Sequence, residues 1–267
     1  MEHNDEQLHR LLARVEELCD RAVRGQLSCT DFLTPREQKH AMTTLHRMGQ
    51  AHRARLHGGY AAAERCCLVL FPDYALDACE EDADTATLLA MAGEDHPVTA
   101  LHFRASGYRT LTHRDYLGSL LSLGRERDVL GDIALDGNNA TVLCLGRIVP
   151  FLQSEDVRIG GDAVRVSETI LPPDFDGGRT FAPIRDTVAS PRLDCIVAAL
   201  TVLSREAAHC AICDGLVEVD YEPETRPDRQ PAIPCTLSVR GKGKFIVREL
   251  GDTTRKGRIR LLADQYV

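Results

Sequence analysis

Basic side chains are concentrated near the carboxyl end of the chain. Between Arg240 and Arg260 there are eight basic residues against two acidic ones, a local net charge of +6, although the whole chain has a formal net charge of −8. A local excess of positive charge in an acidic protein predicts one patch that binds phosphate groups. It argues against a protein that coats nucleic acid over its whole surface.

A glycine-lysine run, Gly241-Lys-Gly-Lys244, lies at the start of this stretch. Glycines let the backbone approach a polyanion closely, and lysines between them supply charge without discriminating between bases. The phosphate-binding residues predicted here are Arg240, Gly241, Lys242, Lys244, Arg255, Lys256 and Arg258.

Two short helices are predicted just before the basic stretch. Ser190-Pro-Arg-Leu-Asp194 leads into a helix with an apolar face, and Ser204-Arg205 begins a second helix that runs to Gly215. Ser204 can cap that helix, and Arg205 would project from its first turn, where free N–H groups and the helix dipole favour phosphate oxygens. We therefore add Ser190, Arg192, Asp194, Ser204 and Arg205 to the predicted site.

Metal and cofactor chemistry is not predicted. Cys210-Ala-Ile-Cys213 stands alone, whereas a structural zinc site needs four ligands, so we interpret the pair as buried thiols in a helix. The ten cysteines are diluted over a long chain and are expected to be reduced. The chain also has no strand-turn-helix with a glycine-rich cofactor fingerprint.

The first 75 residues are predicted to form a helical, α+β segment. Apolar residues recur at three- and four-residue spacing from Leu8 to Val23, which indicates an amphipathic helix. A second helix begins at the capping box Thr34-Pro-Arg-Glu37 and stops at Gly49. The apolar run from Cys66 to Phe71 indicates a buried strand.

Residues 76–180 are predicted to form a ferredoxin-like domain, because strands and helices alternate there in the order βαββαβ. The predicted elements are strand Val98 to Arg104, helix His113 to Leu123 ended by Gly124, strands Val129 to Leu135 and Ala140 to Leu145, a short helix from Ile148 to Leu152, and strand Ala163 to Ile170. The strand from Ala140 carries no aromatic residue, so any RNA contact would not use the stacking of an RRM. Leu171 to Gly178 is the best linker candidate, with a boundary near residues 180–190.

Residues 190–267 resemble the S4 domain, or α-L motif, of a ribosomal protein, pseudouridine synthases and tyrosyl-tRNA synthetases. The resemblance rests on the helix pair, the strand Leu216-Val-Glu-Val219 and the basic turn Val239-Arg-Gly-Lys-Gly243. This chain departs from the motif at Asp220, where asparagine is usual, and at Pro234-Cys235, where Gly-Asp is usual.

Three further blocks resemble the signature of the bacterial YlmH family. They are Phe32 to Gln38, Gly58-Gly-Tyr-Ala-Ala-Ala-Glu-Arg65, and Arg114 to Ile133. With the S4-like module they span nearly the whole chain. The resemblance implies a non-enzymatic RNA-binding protein that associates with rRNA of the large ribosomal subunit and with tRNA or peptidyl-tRNA, in the rescue of stalled translation.

Two other functions stay open. An RNA-modifying enzyme is one, since Arg192-Leu-Asp194 resembles the catalytic Arg-Leu-Asp of pseudouridine synthases, although Cys195 follows where threonine is expected. The other is an adaptor that links RNA to a protein partner in cell division.

The amino terminus has neither signal nor transit character, and no apolar run approaches the ~20 residues that span a bilayer. We therefore expect a cytoplasmic protein, monomeric and without a membrane partner.

Overall fold

The computed structural model describes residues 2–80, 83–94, 96–123, 127–154 and 157–267. The chain divides into two compact units, Met1–Gly178 and Arg179–Val267. Each unit combines helices with antiparallel sheets, so the predicted α+β class is confirmed. Gly124, the predicted end of one helix, lies outside the described residues.

The first unit opens with a small three-stranded sheet covered by two helices. Its elements are α1 (Glu2–Val23), β1 (Ser28–Leu33), α2 (Pro35–Arg47), β2 (Ala54–His57) and β3 (Cys66–Leu70), with sheet order β1-β3-β2. The predicted capping box is present, because the Thr34 side chain accepts from the backbone N–H of Glu37 while the Glu37 side chain accepts from that of Thr34. Val15, Leu18 and Leu45 fill the core between the helices and the sheet. Two short helices follow, α3 (Asp73–Asp77) and α4 (Thr85–Ala92).

The rest of the first unit has ferredoxin-like connectivity. Its elements are β4 (Val98–Ala105), α5 (His113–Ser122), β5 (Leu130–Asp136), β6 (Asn139–Leu145), α6 (Val149–Leu152), β7 (Arg158–Ile159) and β8 (Asp162–Glu168). The sheet order is β5-β6-β4-β8-β7 with antiparallel neighbours, so β4 is the central strand and lies between β6 and β8. Alternate residues such as Leu101, Phe103 and Val142 face the core beneath α5 and α6.

The two sheets of the first unit are joined by residues of the signature blocks. The Asp132 carboxylate accepts hydrogen bonds from the Tyr60 hydroxyl (2.7 Å) and from the backbone N–H of Arg65 (3.2 Å). The Arg65 guanidinium donates in turn to the Phe32 carbonyl (2.9 Å). A Cβ at Gly131 would lie 2.7 Å from the Phe32 ring, so only glycine fits there. Residues 1–75 and 76–178 therefore form one compact body, and these blocks serve packing.

The second unit is a six-stranded antiparallel sheet with two helices on one face. Its elements are β9 (Phe181–Val188), α7 (Leu193–Thr201), α8 (Arg205–Cys213), β10 (Val217–Val219), β11 (Glu222–Pro223), β12 (Cys235–Val239), β13 (Gly243–Thr253) and β14 (Ile259–Tyr266). The sheet order is β11-β10-β12-β13-β14-β9. Ile196 and Ile212 of the helices pack on Leu237 and Phe245 of the sheet.

Among the described residues no single helix is long and apolar enough to cross a membrane. Helices α7 and α8 together have the required length and composition, but the chain bends by 114° between them.

The unit begins earlier than the sequence suggested. Strand β9 pairs along its whole length with β14, from Phe181 opposite Tyr266 to Val188 opposite Ile259. The sequence pattern concealed this strand because most of its side chains are exposed or half-buried and because it contains Pro183. Proline is tolerated there since β9 is an edge strand.

Candidate RNA-binding surface of the second unit

Arg192 and Arg205 share one buried carboxylate. Arg192 donates from Nε (3.1 Å) and Nη2 (3.0 Å) to the two oxygens of Asp194, and Arg205 donates from Nε and Nη2 (both 3.3 Å) to Oδ2. The Asp194 side chain is only 3% exposed, whereas the Arg205 side chain is 58% exposed. Asp194, predicted to contact RNA, is therefore placed to hold the two arginines rather than to touch a ligand.

Asp194 stays ionised over the whole physiological range. Burial by itself would raise its pKa, but the hydrogen bonds from Arg192 and Cys195, and the charges of both arginines, outweigh burial and lower the pKa to about 2. The carboxylate is thus a permanent anchor for two guanidinium groups. The Nη1 group of each arginine points away from this carboxylate edge and is left for other acceptors.

A second pair of arginines is arranged in the same way on the loop between β11 and β12. The Glu224 side chain, 6% exposed, accepts from Arg226 Nε (3.2 Å) and from Arg229 Nη1. Burial opposes ionisation of Glu224, yet the hydrogen bonds from Arg226 and Arg229 lower its pKa to about 2. These three residues were not among those predicted from the sequence, where the only signal was the basic, proline-containing segment Arg226-Pro-Asp-Arg229.

The two arginine pairs are brought together by the loop backbone. The N–H groups of Leu193 and Asp194 donate to the carbonyls of Arg229 (2.8 Å) and Pro227 (3.0 Å). The loop therefore covers the first turn of α7 and satisfies two of its free N–H groups. We call Arg192, Arg205, Arg226 and Arg229, with Asp194 and Glu224, the arginine cluster.

The start of α8 matches the predicted cap. The Ser204 hydroxyl accepts from the Ala207 N–H (3.1 Å), which satisfies one donor of the first turn. Ser190 lies before α7, where its hydroxyl is 3.4 Å from the Cys195 sulfur. Both serines thus have contacts within the fold, and RNA contacts from them stay a prediction.

The glycine-lysine run forms the hairpin turn between β12 and β13. Gly241 and Gly243 adopt φ values of 76° and 117°, which side chains rarely tolerate, so the turn itself explains both glycines. Arg240 and Lys242 are exposed at this turn. The Lys244 ammonium lies 4.8 Å from the ring centroids of both Tyr221 and Tyr266, where cation–π attraction holds it.

The other half of the basic stretch lies at the tip of the β13–β14 arm. Arg255 and Lys256 are exposed there. Arg258 instead lies against β9, donating from Nε to the Thr187 hydroxyl (2.8 Å) and from Nη2 to the Thr187 carbonyl. Arg258 therefore fixes the arm to its neighbour strand, and its guanidinium is already engaged.

The basic stretch from Arg240 to Arg260 is not one patch. The 11 residues of β13 separate the hairpin turn from the arm tip, and at a rise of about 3.3 Å per residue they span about 35 Å. Val188, the last residue of β9, pairs with Ile259 at the arm, so the chain enters α7 at the arm end of the sheet. The arginine cluster and the arm tip thus share one end, and the hairpin turn lies at the other.

Three further expectations concern cysteine and the departures from the S4 pattern. The prediction that Cys210 and Cys213 are buried is wrong, since both lie on the exposed side of α8. Within the described ranges no group of three or more cysteine, histidine or carboxylate side chains could hold a metal ion.

Asp220, which stands where the S4 pattern usually has asparagine, has a structural role. Its carboxylate accepts from the Thr236 N–H (2.9 Å) and so stabilises the turn after β10.

Comparison with known proteins places the first unit in a family. Residues 7–75 match the model "YlmH, N-terminal", and residues 94–172 match "Putative RNA-binding domain in YlmH". The second match coincides with the ferredoxin-like region, and neither model reaches the second unit.

Two relatives extend the comparison. The chain is 28% identical over 240 residues to "Ribosome-associated protein quality control protein P2" of Bacillus subtilis (strain 168), covering 88% of this chain and 86% of the relative. A solved structure, "Cell division protein ylmH from Streptococcus pneumoniae", aligns with a TM-score of 0.46 and 21% identity over 60% of this chain and 90% of that one. On the two matched domains, together with the motif blocks that fix their packing, the chain belongs to the YlmH family.

Proposed function

We propose that this protein binds RNA on the ribosome through the arginine cluster of its second unit, as a non-enzymatic factor acting on stalled translation. Its partners would be rRNA of the large subunit and tRNA or peptidyl-tRNA, in the cytoplasm. The observation that carries the proposal is the pair of buried carboxylates, Asp194 and Glu224, that hold four surface arginines in fixed orientations.

Such an arrangement suits phosphate recognition. A guanidinium with one edge on a carboxylate keeps further N–H donors for a second anion, and less side-chain entropy is lost when the ligand binds. Contacts of this kind fix register on the RNA without reading base sequence. The family's RNA-binding domain and the name of the Bacillus subtilis relative support RNA and the ribosome as targets.

The same geometry supports a binding role over catalysis at Arg192-Leu-Asp194. A catalytic aspartate must reach its substrate, but the Asp194 side chain is 3% exposed and both oxygens accept from arginine. Displacing either arginine would leave a buried carboxylate with fewer donors, which is unfavourable. We therefore propose that Asp194 acts as a structural anchor here.

Co-sedimentation with purified ribosomal subunits across a salt series tests the proposal. The double variant Arg192→Ala/Arg205→Ala should lose about tenfold or more in affinity, and its slope of log affinity against log salt should fall by about 2. Arg24→Ala/Arg114→Ala removes the same charge from exposed positions of the first unit and serves as the matched control. Equal co-sedimentation of the two variants would refute the arginine cluster as the binding surface.

A further inference from the structure

The ferredoxin-like sheet has a second face, away from α5 and α6. The half of this face around Leu143 is covered by the N-terminal segment, where Gly59 and Phe32 approach closely. The other half, along β4 and β8, carries His102, Arg104, Arg165 and Ser167, which line a groove of about 1390 Å³. Val164, Val166 and, after α6, Gln153 and Ser154 also line this groove, so it reaches around the edge of β8 towards α6. His102, Arg104, Arg165 and Ser167 alternate along the strands with the core residue Phe103 and with Val166, which is half-buried against the core. Their side chains therefore lie together on the face away from α5 and α6.

Two arginines lie directly opposite each other on the neighbouring strands that line this groove. Arg104 of β4 pairs with Arg165 of β8, and both side chains are exposed. Beside them, Arg158 of β7 pairs with Ala163, which also lines the groove and lies two residues before Arg165. Among the described residues none of the three guanidinium groups has an ion pair or a side-chain hydrogen bond. Like charges opposite each other in a sheet are destabilising, so this register favours an anion between them.

Carboxylates do not balance this charge within the part of the chain that the structure describes. The lining of the groove contains none. Asp162 is buried at the start of β8 and accepts from the Ser106 hydroxyl, and Glu168 pairs with Leu101, whose side chain faces the core. Glu155 and Asp156 lie outside the described residues.

The chemistry of the groove favours RNA backbone over bases. His102 is its one ring-bearing side chain among the described residues, so base stacking is limited. Neighbouring strands are about 4.8 Å apart and alternate residues about 6.6 Å apart, so the three arginines cover a patch of a few nucleotides. A duplex reader instead contacts about 16 base pairs. The charge and size of the patch therefore fit a short single strand.

We propose that this groove is a second RNA site, in which Arg104, Arg165 and Arg158 bind neighbouring phosphates of a single-stranded segment. His102, which pairs with Ser167 across the strands, lies where a base can stack beside the bound backbone. The proposal rests on the proposed RNA-binding function. It differs in surface, since the arginine cluster belongs to the other unit, and in ligand, since it specifies a single strand.

Fluorescence anisotropy of the full chain tests the site. The probes are an oligouridylate of about eight nucleotides and an RNA duplex of about 16 base pairs. Arg104→Ala/Arg165→Ala should weaken oligouridylate binding about tenfold and lower its salt slope by about 1.4, since each phosphate contact on a single strand contributes about 0.7. The control Arg24→Ala/Arg114→Ala should stay within about twofold of the wild type.

A second variant separates binding from folding. Arg165→Glu places a carboxylate opposite Arg104, so the sheet should be at least as stable while oligouridylate binding is lost. Oligouridylate affinity equal to that of the control in both groove variants would overturn the proposal. Displacement of the oligouridylate by an equal concentration of polyglutamate of the same charge would also overturn it, in favour of an acidic protein segment.

The two proposals fail separately. If Arg192→Ala/Arg205→Ala abolishes ribosome co-sedimentation but the groove variants keep oligouridylate affinity, the groove is excluded and the arginine cluster stands. If the groove variants lose oligouridylate while Arg192→Ala/Arg205→Ala still co-sediments like the control, the groove is supported and the proposed ribosome-binding surface is excluded.

Discussion

In the second unit, Arg192 and Arg205 share the buried carboxylate of Asp194. In the first unit, Arg104 and Arg165 lie opposite each other, and no carboxylate among the described residues pairs with them. The first arrangement keeps cations in place before a ligand arrives and contributes to folding stability. The second is unfavourable until an anion binds. The comparison shows that surface arginines can stabilise the fold in one unit and destabilise it in the other until a ligand binds.

The largest expected effect is a loss of stability of the second unit in acid, where the carboxylates of the arginine cluster become protonated. Asp194 and Glu224 have folded pKa values of about 2, below their ordinary values near 4. A lowered folded pKa contributes stability that is fully present above pH 4 and is lost as the pH falls through 2. As the pH is lowered from 4 to 2, urea unfolding should therefore show the second unit unfolding at a lower urea concentration than the first. Amide hydrogen exchange of Leu193–Thr201 should show the same loss of stability locally.

The variant Asp194→Asn/Glu224→Gln provides the control for this pH effect. It removes both carboxylates, so its second unit should be less stable at neutral pH and should lose less on acidification. An acid dependence as steep as that of the wild type would show that other carboxylates are responsible.

Removing only the Asp194 anchor should have the next largest effect. Asp194→Asn weakens several charged hydrogen bonds, so the free energy of unfolding should fall by about 2 kcal/mol. The variant also removes one negative charge, so the net charge of the cluster rises by one. If charge alone governed RNA binding, affinity would rise; if fixed orientation matters, it should fall despite the added charge, as measured by rRNA filter binding.

Asp252→Asn is the matched control for that variant, because Asp252 is exposed on the arm. It makes the same change in charge without releasing an anchored arginine. Affinity gains of equal size in the two variants would contradict orientation as the function of Asp194.

In the groove, a substitution that weakens RNA binding should raise the free energy of unfolding instead of lowering it, and by a smaller amount. Arg165→Glu replaces a like-charge pair with an ion pair, and the free energy of unfolding should rise by about 0.5 kcal/mol. Arg165→Gln removes the repulsion without adding attraction and should fall between this variant and the wild type in thermal unfolding. A loss of stability in both variants would mean that Arg165 makes favourable contacts within the fold.

The smallest effects are expected at the two ends of the second sheet. Lys242 and Lys256 are exposed and, within the described part of the chain, have no carboxylate partner, so they resemble the groove arginines. Lys242→Gln and Lys256→Gln should each lower the salt slope of rRNA binding by about 1 if they contact phosphate. Because about 35 Å separates them, the two changes should add. An unchanged slope for one lysine would place that end of the sheet outside the interface.

Local features were the most predictable from sequence. The capping box at Thr34, the cap at Ser204 and the ferredoxin-like order of strands all follow from residue types at short spacing. Arg192 and Asp194 were also found, although sequence alone could not show which of them would be buried.

Features that depend on strand register were not predictable. The charge of Arg104 and Arg165 becomes a site only because β4 and β8 are neighbours with these residues opposite each other. For the same reason the basic stretch looked continuous, although β13 carries its two halves apart. Arg226 and Arg229 lie on an irregular loop, where no periodicity indicates that both side chains reach Glu224.

Asp132 has a consequence for how the first unit unfolds. Its carboxylate belongs to the sheet that carries the groove, but its donors, the Tyr60 hydroxyl and the Arg65 N–H, belong to the N-terminal segment. If either the sheet or the N-terminal segment unfolded alone, the other would keep donors or an acceptor without a hydrogen-bond partner. This raises the free energy of every half-folded state. Residues 28–178 should therefore unfold as a single cooperative foldon, with the groove as stable as the segment that supports it.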